Sequence, residues 1–244
     1  HVTKEGNIAG PKVLEHMVDC VINFEGDRYK SCRILRSIKN RFGATSEVGV
    51  FNMDDDGLSE VLNPSELFLD SLDVNNCGCS VIASVEGTRV LLLEIQSLTG
   101  STPYPNPRRV ARGIEYNRLL QILAVLEKRV GLNLSKQDVY INVIGGIDII
   151  EPAADLGAAL AIVSCARDIA IKKKTVIIGE IGLSGEIRAV DNLEKRLKEA
   201  QKLGFEYAIV PAVNANAAQK LNKLDIKILQ VNKLTDAIIQ AFKE

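Results

Sequence analysis

The sequence predicts an α/β chain in two parts, residues 1–64 and 65–244. Three observations predict it. Up to Leu62 nearly every readable element is a strand. Asn63-Pro64-Ser65-Glu66 then reads as a boundary and as the capped start of a new element. Beyond it strands and helices alternate, as they do when a chain builds a partly parallel sheet.

Residues 3–12 are loop chemistry, with Gly6, Gly10 and Pro11. A short helical stretch follows at 13–17. Residues 20–25 and 29–38 read as strands around a turn at Glu25-Gly26-Asp27, and 47–53 as a third strand. Asp54-Asp55-Asp56-Gly57 reads as a solvated hairpin turn, because three adjacent carboxylates lack the spaced ligands and distant Glu of a calcium loop. Residues 58–62 read as a short apolar helix. Strands with so little helix make a poor independent domain, so this segment is expected to complete a sheet whose other strands lie elsewhere.

In the second part, residues 78–85 and 88–98 form a hairpin about Glu86-Gly87. Leu91-Leu92-Leu93-Glu94-Ile95 is too continuously apolar to face water on one side. Residues 99–107, broken by Gly100 and three prolines, form a loop carrying Tyr104. Arg108, Arg109 and Arg112 follow and lead into a helix. They suit a charged surface loop and a phosphate or subunit contact equally well. Residues 116–130 are helical and stop at Gly131. Residues 139–144 form a strand. Asp155 opens a helix of small residues reaching about Ala170, the kind that packs close to a neighbouring backbone. Lys172-Lys173-Lys174 is a charged turn, and 175–180 with 185–190 read as a second hairpin. Helices at 193–203, 214–221 and 234–242 then alternate with strands at 207–210 and 226–231.

The totals exclude several classes. The 244 residues, 46% hydrophobic and 25% charged, suit one large or two modest soluble domains. A net charge of −1 leaves nucleic-acid contact to local basic patches. Five cysteines without regular spacing point to a reducing compartment. Cys77-Gly78-Cys79 lacks a second pair at zinc spacing, so no metal site is expected. No apolar run is long and uncharged enough to span a bilayer. The opening at His1, without Met or an apolar leader, predicts no signal peptide and a processed or truncated product. No Gly-Lys dipeptide occurs, which rules out a G-x-x-x-x-G-K-[ST] loop within these residues.

The stretch that organises the rest is residues 37–45. Lys39 and Arg41 stand on alternate positions before Phe42 and Gly43. Arg28, Lys30, Arg33 and Arg36 precede them, and no acid lies between Asp27 and Glu47. Such alternation can aim a guanidinium fork and an ammonium at one set of phosphate oxygens. It also suits a solvated edge strand whose charges discourage aggregation.

Lys39-Asn40-Arg41-Phe42-Gly43 resembles the KNRFG signature of the bacterial RadA (Sms) family, relatives of the RecA recombinase. The resemblance implies the C-terminal portion of a RecA-like sheet in residues 1–64, followed by a Lon-protease-like α+β domain in 65–244. It implies that residues 39–43 reach a neighbouring subunit's nucleotide, and that Lys4 and Lys12 face single-stranded DNA from a loop. Arg108, Arg109 and Arg112 lie in a stretch similar to the family's PNPRR region and are further DNA-binding candidates. Residues 180–190 resemble the Lon hairpin before its catalytic lysine. Lon chemistry needs a Ser nucleophile and a Lys base. Asp155 stands at the Ser position and Glu194 at the Lys position, so no catalytic pair is expected. As carboxylates the two fit helix N-terminal caps, acid–base chemistry or a metal. Ser184 reads as a turn residue.

The family resemblance further implies a DNA-dependent ATPase and branch-migration helicase in recombination and repair, assembled as a homo-hexamer. ATP and Mg would be cofactors of the full-length protein, with none expected on this chain alone. Single-stranded and branched DNA and a RecA-type recombinase would be partners, without a membrane, in a bacterial cytoplasm or a plastid. The competing readings are a peptidase or regulator of Lon descent and a pure assembly module.

Overall fold

The computed structural model describes residues 12–25, 32–69, 76–221 and 223–242. The chain divides into two compact units. The first comprises residues 1–62 with 86–89, and the second 63–85 with 90–244.

In the first unit, helix α1 (Lys12–Glu15) precedes strands β1 (Cys20–Glu25), β2 (Cys32–Asn40), β3 (Val48–Asp54) and β4 (Gly57–Glu60). They form one antiparallel sheet in sequence order. Period-two alternation sorts its side chains. Cys32, Ile34, Val48 and Val50 are buried on one face. Phe24, Met53 and Leu58, on the other, stay exposed. The helix expected at 58–62 is instead β4. The acidic turn is tight enough for Asp54 to pair with Gly57, so Leu58 and Ser59 continue as a returning strand. The turn expected at residues 25–27, apart from Glu25, and the loop expected at 3–12, apart from Lys12, fall outside the described residues, and Lys12 begins α1 instead of closing the loop.

The second unit opens with α2 (Pro64–Leu69). Strands β5 (Cys79–Glu86) and β6 (Arg89–Ser101) form the expected hairpin. β7 (Arg109–Arg112), β8 (Gln137–Val143), β9 (Thr175–Ile177), β12 (Tyr207–Pro211) and β13 (Lys227–Val231) complete a seven-stranded sheet, in the order β13-β12-β9-β5-β6-β8-β7. β5, β9, β12 and β13 run parallel, as the strand–helix alternation requires. Between β9 and β12, the short pair β10 (Glu180–Ile181) and β11 (Ile187–Arg188) stands as a separate antiparallel sheet.

Two expectations change here. Residues 175–177 belong to the large sheet, so the second hairpin shrinks to β10 and β11. The arginines at 108–112 do not enter a helix: Arg109–Arg112 is an edge strand, parallel to β8.

The helices are α3 (Tyr116–Val125), α4 (Asp155–Arg167), α5 (Leu193–Lys202), α6 (Ala215–Leu221) and α7 (Leu234–Phe242). A five-residue π segment prolongs α3 to Val130, where Gly131 at φ 75° ends it as expected. α4 is buried from Asp155 through Ser164. Its small residues let it press on β5: a Cβ at Gly157 would stand 2.1 Å from Ile82 Cγ2, and Ser80 Oγ donates to Gly157 O at 2.9 Å. Val81 and Ala83, on the opposite face of β5, pack with Leu197, Ala200, Phe205, Leu221 and Ile226. The parallel half of the sheet is therefore covered on both sides. The β6-β8-β7 half keeps one face open, carrying Gln96, Leu98, Val110 and Arg112.

Candidate functional site

The 39–43 motif lies at the end of β2 and in the turn after it. Asn40 and Gly43 build the turn. Asn40 Oδ1 accepts the Phe42 N–H at 3.2 Å, and its Nδ2 donates to Ala44 O at 3.4 Å. That brings the amide against residue 43, where a Cβ would lie 2.8 Å from Asn40 Nδ2. Only a glycine leaves this Asx-type turn undisturbed. Lys39, Arg41 and Phe42 are what the turn presents. Lys39 Nζ donates to Glu15 O at 2.7 Å. Arg41 pairs with Asp19 at 3.1 Å, both well exposed, and its backbone N–H donates to Asp19 O at 3.0 Å. Phe42 is 86% exposed. The two cations are thus both held by the stretch that leads into β1, Lys39 by the last residue of α1 and Arg41 by Asp19 just before β1.

Asp155 and Glu194 occupy different environments. The expectation that Asp155 caps its helix is not met. A 3₁₀ turn (Pro152–Ala154) runs straight into α4, so Asp155 is already helical and no side chain caps that end. Its carboxylate, 7% exposed, faces Arg118 on α3 at 3.5 Å, and Oδ2 accepts the Ile181 N–H at 3.5 Å. Burial pushes the Asp155 carboxyl up to about 6, against the opposing pull of Arg118 and the Ile181 N–H. Glu194 sits in the first turn of α5, where its charge suits the helix dipole, and pairs with Lys198 at 2.6 Å. It also borders an apolar cleft of 190 Å³ with Val190, Leu193, Pro211, Val213 and Leu221. Ser184 is a turn residue, as expected, and is bonded to Glu186.

The three arginines separate in role. The Arg108 guanidinium lies 4.3 Å from the centre of the Tyr104 ring, and its backbone N–H donates to Asp138 at 2.6 Å. Hydrogen bonding to Tyr140 raises the Arg108 pKa further. Arg109 is spent on the backbone, donating to Leu134 O at 2.8 Å and to Gln137 O. Arg112 is exposed on the edge strand. Register places Leu98, Tyr140 and Val110 in one row across the open face, and Gln96, Asn142 and Arg112 in the next. Lys4 and the Lys12 side chain lie outside the described residues. Among the described residues, no group of three or more His, Cys, Asp or Glu side chains could hold a metal, and no helix is long and apolar enough to cross a membrane.

Comparison with known proteins bears on this geometry. A family model described as subunit ChlI of Mg-chelatase matches residues 117–214, all within the second unit. The chain is 54% identical over 241 residues, 99% of its length, to DNA repair protein RadA of Synechocystis, and covers 47% of that protein. It is 52% identical over 226 residues to DNA repair protein RadA of Bacillus subtilis and 50% over 238 to that of Escherichia coli, covering 49% and 51% of them. The chain belongs to the RadA family. It spans about half the length of the curated RadA relatives it matches.

One arrangement within this RadA chain gave no motif to read. Arg196 on α5 is 2% exposed and grips Glu151 with both arms, NH1 to Oε1 at 2.7 Å and NH2 to Oε2 at 2.6 Å. It also donates to Asp191 O at 2.9 Å and to Ala83 O, while Glu151 accepts the Val85 N–H at 2.7 Å. An arginine at a core position of an amphipathic helix is the only sequence signal: Arg196 stands one turn before Ala200, a buried residue on the same stripe.

Proposed function

We propose that the chain is the assembly and nucleotide-contacting portion of a DNA-dependent ATPase that drives branch migration in homologous recombination and DNA repair. The observation that carries this reading is the motif turn, in which Asn40 and Gly43 hold the backbone and Lys39, Arg41 and Phe42 are offered outward. A guanidinium and an ammonium on one short turn suit a triphosphate. The Arg41–Asp19 pair is exposed, and such pairs hold by no more than about 1 kcal/mol, so a nucleotide can replace Asp19 at little cost. The residues present make no phosphate cradle, so ATP and Mg would be held by a part of the longer protein outside this sequence. The apolar face of the first unit's sheet, with Phe24, Met53 and Leu58 exposed, is the kind of surface the rest of a RecA-like domain would cover.

The second unit serves in this reading as a Lon-like, non-proteolytic scaffold for a homo-hexamer and as a DNA surface. Asp155 tied to Arg118 and Glu194 tied to Lys198 supply neither a nucleophile nor an amine base. Arg108, Arg112, Tyr104 and Tyr140 on and beside the open sheet face combine cations with aromatic rings, as single-strand binding surfaces do. Single-stranded and branched DNA and a RecA-type recombinase are the partners, and a bacterial cytoplasm or a plastid the setting. The relatives named DNA repair protein RadA support the repair role.

The test uses the full-length protein carrying Lys39→Ala or Arg41→Ala. DNA-stimulated ATP turnover is expected to fall about a hundredfold or more, as when a trans-acting cation is lost. Light scattering is expected to show the assembly intact. Unchanged turnover in both variants would sink the reading.

A further inference from the structure

The last turn of α4 is stitched through oxygen to the bend before β5 and through sulfur to β6. The Gly78 N–H donates to Ser164 Oγ at 2.9 Å, and Ser164 Oγ in turn donates to Ile169 O at 2.6 Å. Gly78 bends here at φ 83°, and a Cβ on it would lie 3.2 Å from Cys165 Cβ. Cys165 Sγ receives the Thr99 N–H at 3.2 Å and the Thr99 hydroxyl at 3.6 Å. Cys77, next to that bend, is held in its thiol form by burial and by a hydrogen bond to the Asp168 carboxylate, and it feels Cys165. Both thiols are half-exposed and unbridged. Cys77 also lines a groove of 380 Å³ with Cys79, Gln96, Leu98 and Tyr140 that opens to solvent. Two thiols, a carboxylate acceptor and an open approach therefore meet at one place.

We propose that Cys77 and Cys165 are a peroxide-responsive thiol pair that closes reversibly into a disulfide. The sulfur of Cys165, which already receives two donors, attacks one oxygen of hydrogen peroxide. The O–O bond breaks, one oxygen leaves as water, and Cys165 becomes a sulfenic acid. Cys77 then attacks that sulfur and passes its proton to Asp168. The S–O bond breaks, the hydroxide leaves and takes a proton to become a second water, and the S–S bond forms. Two thiols are oxidised and one peroxide is reduced. The bridge would pin the C-terminal end of α4 to the start of β5, and an added thiol would reopen it. Transient disulfides of this kind are the sort found in reducing compartments.

The test treats the whole chain with hydrogen peroxide and maps its peptides without reductant. The expected product is a peptide pair linked through Cys77 and Cys165, lighter by two hydrogens and lost on adding dithiothreitol. Cys165→Ser should abolish the link and leave Cys77 a free thiol. Cys77→Ser should leave Cys165 as a sulfenic acid that dimedone captures. Asp168→Asn should slow closure several-fold without slowing the first step. Melting under reductant checks that each variant is folded. A bridge through Cys79, Cys20 or Cys32, or oxidation of Cys165 to the sulfinic acid while Cys77 stays free, would overturn the proposal.

Discussion

Arg196 and Glu151 form a two-armed ion pair, 2.7 and 2.6 Å long, with the guanidinium almost wholly removed from solvent. Removing one partner of a buried pair leaves the other charged and unanswered, which costs about 3–5 kcal/mol. Glu151→Ala should lose stability on that scale in urea unfolding, and Glu151→Gln, which keeps an acceptor, should lose less. A loss below about 1 kcal/mol for the alanine variant would mean that water replaces the carboxylate.

The motif turn predicts a separation of function from stability. Asn40→Ala removes the bonds to Phe42 N and Ala44 O, both exposed, so melting should shift by no more than about 0.5 kcal/mol. ATP turnover of the full-length protein should nevertheless fall, because Lys39 and Arg41 lose the turn that aims them. Equal turnover in wild type and variant would show that the turn does not position the cations.

Asp155 predicts an unusual pH dependence. Its folded pKa of about 6 lies above its ordinary value of 3.8, so the folded state holds this proton more tightly than the unfolded chain does. Between about pH 4 and pH 6 its contribution to stability declines as pH rises, and above that it stays at the lower level. A two-unit shift corresponds to roughly 3 kcal/mol across the window. Glu186, lowered towards 2 chiefly by its hydrogen bond from Ser184, acts in the opposite sense at more acid pH. The informative quantity is therefore wild type minus Asp155→Asn, measured by urea unfolding from pH 4 to 7. A flat difference would contradict the burial argument.

The arginines at 108–112 should part company in a DNA salt series. Arg108→Ala and Arg112→Ala should each weaken single-strand binding and reduce the salt slope by about one. Arg109→Ala should leave the slope alone and instead cost about 1–3 kcal/mol of stability, since carbonyls at Leu134 and Gln137 lose their donor. A changed slope for Arg109→Ala would reverse this assignment.

Local rules control the parts of the fold that are legible in the sequence. The helix start at Pro64, the hairpin at β5 and β6, the stop at Gly131 and the closing strand–helix alternation all come from turn chemistry and periodicity. The parts that are not legible depend on distant partners. Thr175 to Ile177 reads as half of a hairpin with residues 185–190, yet its partners are β5 and β12. Asp155 has the residue type of a cap, but the 3₁₀ turn before it moves the helix start and sends its carboxylate to Arg118. At the motif the five residue types are evident from sequence. That Asn40 and Gly43 form the support, while Lys39 and Arg41 rest on Glu15 and Asp19, emerges only once β1 and β2 are paired.

The pairing of β5 with β9 has a consequence for synthesis. Val81 lies beside Val176, about 95 residues later in the chain. At a translation rate of about 5–20 residues per second, β5 leaves the ribosome several seconds before its neighbour exists. During that interval the apolar strands β5 and β6 have each other but no parallel partner, and a bare strand edge invites pairing with another nascent chain. The charged hairpin tip, with Glu86 and Arg89, stands at one end of those waiting strands. The sheet's slowest contact is thus also its centre, and the waiting hairpin is where a chaperone would act while the chain is still being made.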